Sequence, residues 1–182
     1  MFPNLAQKCS QHFYYRDFIE CGETFSQTRV QNTPKALETW KAIEELAVHI
    51  LDPTVNHFGS LELTYGFAGQ LLLSRLRQAK TARIVPKLDQ HSSHELNTKG
   101  HRICKRDGIA CDFFVKGTSS KIVAAWIIDN CPFDRLYYYG ANRPLHVSHC
   151  IAPQGKVCVM LYNNDRLMPR TIRRESFLEY VD

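Results

Sequence analysis

The sequence lacks most of the short motifs that announce a function. No two of its seven cysteines form a C-x-x-C pair, and Cys9, Cys21, Cys104, Cys111, Cys131, Cys150 and Cys158 follow no framework rhythm. This argues against a disulfide scaffold and a Cys-pair zinc finger. The helix-borne zinc motif H-E-x-x-H is absent. No apolar run approaches the ~20 residues of a membrane-spanning helix. The opening Met1-Phe2-Pro3-Asn4 lacks the basic-then-apolar layout of a signal peptide. Internal repeats and low-complexity tracts are also missing. Charge of one sign is scarce: 23 Lys+Arg stand against 18 Asp+Glu, for a net +5. That balance is too mild to argue nucleic-acid binding without a basic stripe. These absences leave the expectation of a reduced, cytoplasmic globular protein with no membrane contact. Its cysteines then act mostly as small core hydrophobes.

What is present suits a folded domain. The chain has 182 residues, 44% hydrophobic and 23% charged. A chain of this length buries about 70% of its unfolded surface, so it needs no metal merely to hold a core. Thr33-Pro34 reads as a helix start, with Thr33 as N-cap and Pro34 at the first helical position. Leu37, Trp40, Ile43, Ala47 and Ile50 recur at helical spacing, and Asp52-Pro53 is expected to end that helix. Ser60 to Tyr65 alternates as a strand, Gln70 to Gln78 returns to helical spacing, and Asp89 to Arg106 reads as a polar loop. Ile109 to Val115 is a strand, and Ser119-Ser120 caps a helix stopped by Cys131-Pro132. Strands at Arg135 to Tyr139, Leu145 to His149 and Lys156 to Tyr162 follow, with short connections that predict antiparallel pairing. The order fits α+β, with helices packed on a central antiparallel sheet. Residues 1–162 form the expected domain. Residues 163–182, with Arg166, Arg170, Arg173 and Arg174, form a basic C-terminal extension, either a docking helix or a loose end.

Five of the eight histidines crowd two places: His91, His94 and His101 in the polar loop, His146 and His149 on one strand. Asp112 lies in an apolar strand, where a carboxylate is costly unless paired or metal-bound. A loop histidine, Asp112 and His146 would make a three-ligand Zn²⁺ site with an open position for water. The bland alternative is a buried Asp–His pair beside surface histidines. Tyr137-Tyr138-Tyr139 suggests an aromatic cleft wall, with Tyr137 and Tyr139 as candidate ligand contacts. Lys99, Arg102, Lys105 and Arg106 could meet a phosphate-bearing ligand, Arg102 being the favoured one.

Landmarks from about Phe13 to Tyr162 resemble the M15-type zinc peptidases, which include D-alanyl-D-alanine carboxypeptidases and phage endolysins and share the hedgehog domain's fold. Phe13 to Glu23 resembles the family's aromatic opening. Asp52-Pro53-Thr54-Val55-Asn56-His57-Phe58-Gly59 resembles the turn after its first long helix. Ser92-Ser93-His94 and Gly108-Ile109-Ala110-Cys111-Asp112 resemble the two ends of its signature S-x-H-x-x-G-x-A-x-D. Cys131 to Leu136, followed by Leu145-His146-Val147-Ser148, resembles its close. The resemblance implies a hedgehog/DD-peptidase-like fold, hydrolysis of a peptide or amide bond, and Zn²⁺ held by His94, Asp112 and His146. His91 and His101 are rivals for the first ligand, because Glu95 to Asp107 is inserted within the signature. Two further positions depart from the family. Tyr139 stands where the family has its general-base Glu, and Ala68 where it has a carboxylate-gripping Arg. Glu95 and Asp107 are the candidate replacement bases. The rival function is a metal-binding recognition domain for a peptide-like or small-molecule ligand, with a nucleotide or nucleic acid the weaker partner.

Overall fold

The computed structural model describes residues 2–78, 88–163 and 166–180. Among the described residues are six helices, four of which come first, and six strands, four of which come last. Short helices α1 (Tyr15–Ile19) and α2 (Glu23–Thr28) precede α3 (Leu37–Leu46). A π turn at Ala47–Leu51 carries α3 directly into α4 (Asp52–Phe58). Then come β1 (Leu61–Tyr65), α5 (Gln70–Gln78), β2 (Ile109–Val115), α6 (Ser120–Asn130), β3 (Arg135–Tyr138), β4 (Leu145–His149), β5 (Lys156–Asn163) and β6 (Arg166–Ile172).

Two helix boundaries differ from the sequence reading. Asp52-Pro53 does not end the helix. Pro53 falls in the first turn of α4, and the π turn before it absorbs the hydrogen bond a proline cannot make. Asp52 instead fastens the N-terminal segment, accepting from Ser10 Oγ at 2.9 Å, Gln11 N at 2.9 Å and His12 N at 3.2 Å. Thr33 is not the N-cap of α3, which begins at Leu37 after Ala36. The two amides just before the helix, at Lys35 and Ala36, are met by a side chain far away in sequence, described below. Ser119 does cap α6, accepting from Lys121 N at 3.2 Å.

The fold is α+β, but its sheet is mixed. The strand order is β1-β2-β4-β3-β5-β6. β3 pairs antiparallel with β4, as the short connection predicts. β5 does not pair with β4. It runs parallel to β3 on the far side. The reason is that the other edge of β4 is already occupied by β2, from Ile109↔His149 to Phe113↔Leu145. The segment after His149 must therefore pass β3 to find a free edge. Residues 163–182 are not a separate extension where they are described. β6 pairs with β5 over Val157↔Ile172 to Asn163↔Arg166. Phe177 is buried and meets the Tyr138 ring edge-on at 5.3 Å. Residues 164, 165, 181 and 182, and the side chain of Arg166, lie outside the described residues.

The two faces of the sheet differ in chemistry. Alternation puts Cys111, Val147, Leu136 and Val157 in one cross-strand row, against Trp40, Ile43, Leu46, Val123 and Ile127 of the helices. Fully burying each large apolar side chain of this set contributes roughly 1.5–3 kcal/mol. One residue along each strand, the pleat turns the row to the opposite face. There the row reads Tyr65, Asp112, His146, Tyr137, Cys158 and Thr171. The loop around the single helical turn at Gln90–Ser92 packs over β2.

Candidate metal centre

β2 places Asp112 opposite His146 of β4, and their side chains meet: His146 Nδ1 lies 2.7 Å from Asp112 Oδ1. The third member comes from the loop. His91 Nε2 lies 3.3 Å from Asp112 Oδ1 and 3.2 Å from His146 Nδ1. His91, Asp112 and His146 are the one group of three or more His, Cys, Asp or Glu side chains, among the described residues, close enough to share a metal ion. Tetrahedral Zn²⁺ with bonds of about 2.0–2.1 Å holds its nitrogen and oxygen donors about 3.3 Å apart. Two edges of the triangle already have that length, and the third is shorter. Two imidazoles and one carboxylate are also the donor chemistry that zinc takes. The residues present therefore fit the ion.

His91 is held from behind. Its Nδ1 lies 2.7 Å from Gly66 O, which leaves Nε2 for the cluster. A backbone carbonyl on the outer nitrogen is the usual device that fixes a metal-binding imidazole. The Gly66 position admits no side chain, because a Cβ there would come 2.3 Å from Phe18 O. Asp89 closes the small turn, accepting from His91 N at 3.0 Å, and Ala68 N donates to His91 O at 2.9 Å. Gly108, with φ +80°, lets the loop re-enter β2, since a Cβ there would lie 1.9 Å from His149 O.

The charges agree with this packing. Burial opposes protonation of His91, but Asp89 and Asp112 outweigh it and raise its pKa to about 9. Burial would raise Asp112, yet His91 and His146 hold its carboxyl well below the usual carboxylate range. Without an ion, the cluster is a carboxylate between two imidazoles, at least one of them charged. The side chains of Asp112 and His146 keep 24% and 12% of their surface, against 4% for His91. The cluster is thus reachable from the Asp112 side, as a site with an open position requires.

Aromatic rings surround it. Tyr65 lies over His91 with ring centroids 4.2 Å apart, and its buried hydroxyl has no partner. Tyr137 meets His146 edge-on at 5.1 Å. Burial pushes the Tyr139 phenol up, and the charge of Asp112 adds to it. Arg106 Nη1 donates to Leu88 O at 2.9 Å and reaches Tyr137 Oη at 3.4 Å.

The structure brings together two of the three expected ligands and replaces the third. His94 is half-buried outside the cluster, and burial and Arg102 lower its pKa. His101 is exposed. His91 takes the place that the S-x-H resemblance gave to His94. Asp89 and Gly66, not sequence register, hold this histidine inward.

Neither candidate base is at the site. Glu95 is 4% exposed and accepts from Lys35 N at 3.0 Å, Ala36 N at 3.1 Å and Thr39 Oγ1 at 2.9 Å. It fastens the turn that leads into α3 and holds the Thr39 side chain of that helix. Asp107 is exposed and paired with Arg102, Nη1 to Oδ1 at 2.6 Å. Arg102 also donates through Nη2 to Ser93 O at 3.3 Å and Arg106 O at 3.0 Å, so it braces the loop. Tyr65 and Asp89 are site residues that the sequence reading missed. A bulge between Leu63 and Tyr65 turns Tyr65 to the Asp112 face, so the alternation of Leu61 and Leu63 gave no signal for the first, while the spacing Asp89-Gln90-His91 was a signal for the second.

All seven cysteines are free thiols. No helix among the described residues is long and apolar enough to cross a membrane. Comparison with protein-family models, with curated proteins and with solved structures finds no match to this chain.

Proposed function

We propose that this chain is a zinc-dependent hydrolase that acts on a peptide or amide bond, with His91, Asp112 and His146 holding the ion. The triangle of donor atoms carries the reading, with edges of 2.7, 3.2 and 3.3 Å. A bound Zn²⁺ would supply Lewis acidity and a water of lowered pKa. The chain's own residues do the rest. Gly66 O and Asp89 orient His91, and Asp112 offsets the charge of the centre. Tyr65 offers an unpartnered hydroxyl beside His91. Tyr137 and Tyr139 form an aromatic wall on which a substrate group stacks. With Glu95 and Asp107 committed elsewhere, Asp89 is the candidate proton acceptor. Its charge acts on His91, Tyr65 and Tyr139 alike. The resemblance to the M15-type peptidases points the same way for the metal but not for the substrate, because Tyr139 and Ala68 replace that family's base and clamp.

One observation favours a second reading. The inserted-loop carboxylates Glu95 and Asp107 are both engaged away from the cluster. If Asp89 does not take the proton either, the centre is a binding site, and the chain would then recognise a ligand through the metal and the tyrosines. Elemental analysis of protein purified without chelator is the first test, with about one zinc per chain expected. A panel of peptide and amide substrates is the second. Turnover that falls about 10²–10⁴-fold in Asp89→Asn supports the hydrolase. Zinc without turnover on any of them favours the binding domain, and no metal at all ends both readings.

A further inference from the structure

A second feature stands apart from the metal centre. A cleft of about 410 Å³ lies between α5 and the 97–103 loop, lined by Gln70, Arg77, Asn97, Thr98, Lys99, Arg102 and Ile103. That volume falls in the range of small-ligand pockets. Three of its seven lining residues are cations, and none is an acid. None of His91, Asp112 or His146 lines it.

The cations come from two separate segments. Arg77 lies near the C-terminal end of α5, where a basic side chain also answers the helix dipole. That dipole accounts for Arg77 alone and says nothing of Lys99 and Arg102, which the other wall contributes. The loop that presents them is tightly built. Asn97 Oδ1 accepts from Lys99 N at 2.9 Å and His101 N at 3.2 Å, and Gly100 takes φ +76°. This occupies the Asn97 oxygen and leaves its amide as a donor. Arg102 is braced by Asp107, Ser93 O and Arg106 O. Asp107 cancels part of its charge from outside the cleft. Lys99 and Arg77 have no acidic partner among the described residues.

We propose that this cleft binds a phosphate-bearing small ligand, with Lys99 and Arg77 gripping the oxyanion between them and Arg102 and the Asn97 amide completing the donor set. Cations and amide donors with no carboxylate match a multiply charged oxyanion, and guanidinium groups bond phosphate oxygens in pairs. The apolar Ile103 gives the remainder of the ligand a surface to rest on. The proposal is independent of the metal reading.

Inorganic pyrophosphate is the probe, titrated calorimetrically into the full chain at about 0.15 M salt, where surface charge is already screened. Saturable one-to-one binding is expected. Lys99→Gln and Arg77→Gln change exposed side chains and leave the fold intact, and each should weaken binding about tenfold. Arg102→Gln removes a loop brace, so it serves only if its thermal unfolding matches wild type. Lys105→Gln and Lys156→Gln, which remove surface cations outside the cleft, should leave the affinity within about twofold. A nucleoside diphosphate run in parallel separates two sources of the same chemistry. Tighter binding than pyrophosphate assigns a nucleotide, and equal binding assigns the phosphates alone. No binding at millimolar pyrophosphate overturns the proposal. So does an equal loss in Lys105→Gln and Lys99→Gln, which would reduce the cleft to general surface charge. Repeating the titration after chelation separates this result from the metal centre, since the affinity should not change.

Discussion

Glu95 and Asp112 are carboxylates that the fold takes out of bulk water, and they are satisfied in opposite ways. Glu95 is surrounded by donors that are already part of the scaffold, two backbone amides just before α3 and the Thr39 hydroxyl. No group of three possible metal donors forms around it among the described residues. Asp112 meets His91 and His146, whose ring nitrogens are themselves metal donors. One carboxylate ties down the turn before a helix, and the other belongs to a group with capacity to spare. The difference teaches that burial of a charge does not mark a functional site. The chemistry of its partners does.

The sharpest way to break this contrast is to remove each side in turn. Asp112→Ala and His146→Ala should each reduce bound zinc from about one per chain to a trace, read by elemental analysis. Glu95→Ala should leave zinc in place but lower stability. Loss of hydrogen bonds to this buried carboxylate costs about 2 kcal/mol, which in a chain of this size lowers Tm by roughly 4–8 °C. Calorimetry beside metal analysis separates the two outcomes. If Glu95→Ala loses zinc at an unchanged Tm, the contrast is mistaken.

A finer test concerns the loop histidines. His91→Ala should abolish zinc binding, while His94→Ala and His101→Ala should keep it within error. Loss of metal in His94→Ala alone would restore the register implied by the S-x-H resemblance. The smallest effect belongs to Asp107. Its pair with Arg102 is exposed, so Asp107→Asn should cost less than about 1 kcal/mol and leave zinc content and any hydrolysis unchanged. A large drop in turnover would make Asp107 the base after all.

Much of the fold was legible in the sequence because local chemistry fixed it. Ser119 as the cap of α6, the apolar run of Ile109 to Val115 and the helical spacing of Leu37 to Ile50 each act over a few residues. Asp112 and His146 were also legible, because a charged residue inside an apolar strand and a histidine on a neighbouring strand are visible without coordinates. The readings that differed all depended on distant partners. Asp52-Pro53 looked like a helix end because the π turn that bypasses it has no residue signature. Thr33 looked like a cap because Glu95, some sixty residues away in sequence, was not yet beside it.

By itself, the sequence determined the α+β class, most of the elements and two residues of the candidate centre. Periodicity and capping are properties of consecutive residues, and they act before the chain is folded. Only the tertiary structure decided that β5 joins β3, that Glu95 fastens the turn before α3, and that His91 is the histidine beside Asp112. Each of these is a competition among segments for one free edge, one set of bare amides or one position over Asp112. Such contests are settled by which segment arrives there already braced, as Gly66 O and Asp89 brace His91.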